Sequence, residues 1–116
     1  MENESILETI KKMLGIDPSL TVFDFEIMAH INSSFMTLHQ LGVGPEEGFV
    51  ITGIESKWNS FIESVKLNAV IQYMYYSVKL AFDPPATSYA INSMEKMLEE
   101  LKWRLNVQVE TGVLND

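Results

Sequence analysis

Phe82-Asp83-Pro84-Pro85 constrains this chain more than any other stretch, because it divides two long amphipathic patterns with a stop that leaves little freedom at the junction. Proline has no amide hydrogen, fixes its own φ and pushes the preceding residue out of the α region, so the upstream helix ends near Phe82. Downstream, Thr87 or Ser88 serves as N-cap, and Ile91, Met94, Leu98, Leu101 and Leu105 then recur with the spacing of one helix face. The two arms form a helical hairpin. The upstream arm, Ser64 to Phe82, carries Ala69, Ile71, Tyr73, Met74, Tyr75, Val78, Leu80 and Ala81, and is apolar on more than one face. A chain of 116 residues makes one small domain with a limited core, so a neighbouring subunit is the remaining source of cover for that helix.

Ahead of the hairpin, Ser5-Ile6-Leu7-Glu8 fits a capping box that opens a short helix bearing Ile6, Leu7, Ile10, Met13 and Leu14. Gly15 stands where a left-handed C-terminal cap belongs. Ile16-Asp17-Pro18-Ser19 reads as a turn, after which Asp24 is expected to cap a longer helix through Leu41 with Gly42 just beyond it. Its apolar face is Ile27, Met28, Ile31, Phe35, Leu38 and Leu41. Gly44, Pro45, Gly48 and Gly53 break the segment 43–56 around Phe49-Val50-Ile51, giving a loop with at most one short strand or extended arm. Glu55 or Ser56 then starts a one- or two-turn helix with Trp58, Phe61 and Ile62. From Val107 onward helical periodicity is lost, and 107–116 is expected to be an extended or disordered tail. The expected fold is therefore all-α: a small bundle of four to five helices in one domain, 1–106, with a long helical hairpin and a flexible C-terminal tail.

Composition narrows the function classes. The chain has no cysteine, which excludes disulfides, thiolate metal sites and cysteine nucleophiles. No stretch approaches the roughly 20 apolar residues that span a bilayer, and Met1-Glu2-Asn3-Glu4 is acidic where a signal peptide would be basic. A soluble, non-secreted protein is expected, with no membrane partner. A formal net charge of -8 opposes phosphate binding, and the basic residues are scattered along the chain, so specific nucleic-acid binding is not expected.

The remaining constellations read more simply as structure than as chemistry. His30 and His39 lie nine positions apart, which does not stack them on one helix face, and neither has a carboxylate at the spacing of a helical zinc motif. No metal site is expected. Ser33, Ser34 and Thr37 lack an oriented base and an oxyanion site, and Gly42-Val43-Gly44 lacks a following lysine, with Glu46 and Glu47 repelling any phosphate. That segment reads as a flexible connection. No catalytic residue and no cofactor is assigned. Glu95, Glu99 and Glu100 with Lys96, Lys102 and Arg104 make a solvated helix face. Tyr73, Tyr75 and Tyr76 fit either core or an interface, where aromatic rings bury large areas and keep a polar tip. With the tail residues Val107, Val109, Val113 and Leu114 they form the set of interface candidates.

The ordered set Ile10-Lys-Lys-Met-Leu-Gly-Ile-Asp17, Leu41-Gly-Val-Gly-Pro45, Phe82-Asp-Pro-Pro85 and Leu101-Lys-Trp-Arg-Leu-Asn106 resembles the small head-tail connector, or head-completion adaptor, proteins of tailed bacteriophages and of prophages in Gram-positive bacteria. The resemblance runs over nearly the whole chain. It implies a mostly helical structural protein, not an enzyme, that forms a ring beneath the portal after DNA packaging and joins head to tail. The implied partners are the portal and the tail or stopper proteins, and the implied location is the virion neck, reached from the host cytoplasm. Rings in this family are about twelvefold, which would set on the order of a hundred negative charges around the channel and limit sticking of DNA. By segment, portal and tail contacts correspond to the 43–56 connection and to the tail from Val107. The alternative is a small cytoplasmic phage-encoded regulator or scaffold that binds one protein through the same aromatic helix.

Overall fold

A computed structural model describes residues 4–61 and 67–110, with side chains through Val107. Its helices are α1 (Ile6–Met13), α2 (Asp24–Gln40), α3 (Leu67–Phe82) and α4 (Ser88–Glu110), with one 3-10 turn at Trp58–Ser60. The fold is all-α, and no strand is formed among the described residues.

Local signals set most helix ends. The Ser5 hydroxyl accepts the Glu8 amide at 3.3 Å to open α1, and Gly15 follows the helix at φ 81°. Of the two candidate caps for α4, Thr87 acts, taking the Ala90 amide on its hydroxyl at 3.1 Å. α3 stops at Phe82, ahead of the two prolines. Its expected first residues, from Ser64, lie outside the described residues, as does Ile62.

α3 is the central helix. It packs on α1, α2 and α4, and its buried residues Val70, Ile71, Tyr73, Met74 and Val78 face several directions. α2 and α3 run antiparallel, with Phe23 against Phe82 at one end and a 2.7 Å contact between the hydroxyls of Ser34 and Ser77 farther along. The core between them is built from Ile6, Leu7 and Ile10 of α1, Ile27, Ile31, Phe35 and Leu38 of α2, and Leu101 and Leu105 of α4.

Three expectations are corrected. Asp24 does not cap α2: Phe23 occupies that position without a side-chain cap, and Asp24 begins the helix with its carboxylate 2.8 Å from the Lys11 ammonium. Lys11 is only 1% exposed, and its ammonium also donates to the carbonyls of Pro18 at 3.1 Å and Leu20 at 2.7 Å. An unpaired buried ammonium costs far more than a missing cap, so the long-range ion pair wins. The 42–48 connection is not loose, because Val43 is buried in the core and His39 bonds the Glu46 carbonyl, and farther along the 43–56 loop Ile51 is buried as well. Phe49 packs with Phe35 and Phe61 at ring-centroid distances of 5.1 and 5.4 Å. In place of a neighbouring strand, the Asn32 side chain accepts the Ile51 amide at 2.8 Å and donates to its carbonyl at 3.0 Å. Finally, α4 continues through Glu110, so the first four residues of the expected tail are helical and 111–116 lie outside the described residues. Valines lower helix propensity by only tenths of a kcal/mol each, too little to end a 23-residue helix.

Candidate interaction surfaces

The aromatic residues of α3 divide by position. Tyr73 is 3% exposed and belongs to the chain's own core. Burial raises its pKa, opposed by a hydrogen bond with Thr37. Tyr75 and Tyr76 are half-buried, with ring centroids 5.3 Å apart. Val107 is half-buried near the end of α4. The charges of Lys102 and Glu99 on α4 also act on the Tyr73 hydroxyl. The Val109 side chain, Val113 and Leu114 lie outside the described residues.

Two further apolar surfaces were not singled out from the sequence. The first is carried by the α1–α2 connection and the start of α2, where Val22 is 71% and Phe25 84% exposed and Leu20 and Phe23 are also open to solvent. This connection is held by the Lys11 ammonium at two carbonyls and at Asp24. It is tightened by Asp17, whose carboxylate accepts the amide and hydroxyl of Ser19 at 2.8 and 2.7 Å. Those bonds favour the ionised form and lower the Asp17 pKa. The second surface is the outer face of α4, where Tyr89 and Trp103 stand exposed with Lys96 midway between them. Both had a legible signal. Phe25 falls two residues before Ile27, far around the helix from the α2 stripe, and Tyr89 and Trp103 lie off the stripe from Ile91 to Leu105.

The polar candidates are held in structural bonds. His39 bonds the Glu46 carbonyl at 2.7 Å, while His30 sits 3.9 Å from Glu26 and edge-on to Phe82. Ser34 is bonded to Ser77 and to the His30 carbonyl. Glu99 pairs with Lys102, and Glu100 with Arg104, along solvent-facing α4. Among the described residues no group of three or more His, Cys, Asp or Glu could hold a metal ion, and no helix is long and apolar enough to cross a membrane. An open polar cleft beside α1 mixes Glu4 and Glu8 with Lys12 and Lys57.

Comparison with known proteins returns one family, described as phage connector protein, whose model matches residues 6–112. The match spans all four helices and the connections between them. No curated protein and no solved structure matches the chain.

Proposed function

The chain belongs to the phage connector protein family, a structural family, and from that premise we propose that it is a ring-forming adaptor joining the portal of a DNA-filled phage head to the tail. The observation that carries this reading is a family match over residues 6–112, the whole helical body rather than one motif. It is a virion neck component without enzymatic activity, and its partners are the portal on one side and tail or stopper proteins on the other.

Physical features support the reading. An adaptor needs several separate contact surfaces, and this chain has the tyrosine pair of α3, the apolar α1–α2 connection and the outer face of α4. Tyr75, Tyr76, Val107, Val109, Val113 and Leu114 remain the candidates for contacts to portal or tail. The segment 111–116 contributes Val113 and Leu114 to contact with a partner. A net charge of -8 per copy, repeated around a ring, keeps passing DNA from adhering.

The test is attachment of the purified chain to portal-filled heads that lack it, followed by sedimentation and by assay for tail joining. Stoichiometric attachment that restores joining is expected. Heads that leave the chain in the supernatant would refute the assignment.

A further inference from the structure

We propose that neighbouring copies meet through two different surfaces, the apolar α1–α2 connection of one copy docking on the outer face of α4 of the next. This deepens the ring-forming reading above and rests on it.

The first surface presents Leu20, Val22 and Phe25 to solvent. Its backbone is already tied by the buried Lys11 ammonium to the carbonyls of Pro18 and Leu20 and to Asp24. A connection fixed in advance loses little conformational entropy when it docks, which is the condition for a small apolar surface to bind at all. The carboxylates on its rim, Asp17 and Glu26, are not ion-paired to any lysine or arginine among the described residues.

The second surface is a single stripe. Tyr89, Lys96 and Trp103 recur at seven-residue spacing, which keeps them within roughly 40° of one another around a helix of 3.6 residues per turn. The two aromatics are exposed, and Lys96 between them has no ion-pair partner among the described residues. Glu99 and Glu100 on the same side of α4 are paired with Lys102 and Arg104, which leaves Lys96 as the unpaired charge between the two aromatics, a match for the acidic rim of the first surface.

Placement decides the kind of contact. α2 and α4 both pack on α3 and share no comparable packing with each other, so the two surfaces are carried by elements that do not pack together, in a molecule of 38 × 35 × 21 Å. Contact between unlike surfaces is heterologous and propagates from copy to copy, closing a ring when the rotation allows. A two-fold contact of the first surface with itself would instead oppose Glu26 and Asp17 to their own copies.

The absence of cysteine allows a direct test. Phe25→Cys, Trp103→Cys and the double variant are treated with a short bismaleimide, both free at high concentration and on portal-filled heads. The double variant is expected to give a ladder of cross-linked multimers in at least one preparation, and each single variant to remain monomeric. Mixing the two single variants is expected to give a dimer and nothing larger. Dimers from Phe25→Cys alone would mean a two-fold contact, and no ladder in either preparation would mean that another partner covers these surfaces; either result overturns the proposal. Attachment of the wild-type chain to heads is scored separately, so a failure of the adaptor reading is distinguished from a failure of this contact.

Discussion

Lys11 carries the heaviest single load, since one buried ammonium ties the α1–α2 connection to the start of α2. Lys11→Met leaves the Asp24 carboxylate and two carbonyls without their partner, and is expected to destabilise by about 3–5 kcal/mol. Lys11→Met combined with Asp24→Asn should recover part of that loss; urea denaturation of the three proteins measures it. Gly44 is equally constrained, with φ at 94° and the Phe61 ring where a Cβ would stand. Gly44→Ala is expected to cost about 1–3 kcal/mol, whereas Gly15→Ala, at φ 81° with open space around it, carries only the backbone strain. Tyr73 gives a pH signature. Its pKa is raised by burial, so its contribution is complete below the ordinary value near 10 and is lost as pH rises through the folded value. The stability advantage of wild type over Tyr73→Phe should therefore shrink on titration above about pH 10. Nothing in the sequence pattern marked Lys11, because a lysine on a short helix reads as solvated until a distant carboxylate and two carbonyls are folded around it.

Among the elements, α4 shows how far a stripe can be read. The residues expected to face the core do so, but unequally: Leu101 and Leu105 are buried, whereas Ile91, Met94 and Leu98 are half-buried because α4 packs chiefly on α3. Leu101→Ala is accordingly expected to cost about 2–5 kcal/mol, Leu98→Ala roughly half as much, and Glu99→Ala about 0.5 kcal/mol or less. Chemical denaturation of the series checks the register of the helix, and equal losses at all three positions would contradict it. The caps of α1 and α4 were legible because a serine or threonine hydroxyl acts on an amide only three residues away. The cap of α2 was misread although its start was placed at Asp24, because Asp24 had a competing partner thirteen residues upstream in the sequence. The 43–56 segment read as a loop correctly, yet its glycines concealed the packing of Phe49 and Ile51 against α2.

At the scale of the whole molecule, the proposed adaptor role predicts that deleting 111–116 leaves helical circular dichroism and the melting transition nearly intact while weakening attachment to portal-filled heads. A lower melting temperature would instead make the segment part of the fold. By itself the sequence determined the helix order, the hairpin and the acidic character, since capping groups, prolines, apolar spacing and charge are local properties of the chain, while the family was carried by the resemblance of its ordered segments. Tertiary structure alone decided that Tyr73 is core while Tyr75 and Tyr76 reach the surface, that Lys11 is buried, and which flanks carry the exposed aromatics. Those outcomes depend on which element covers which face, and burial is a relation between segments distant in sequence that no local pattern contains.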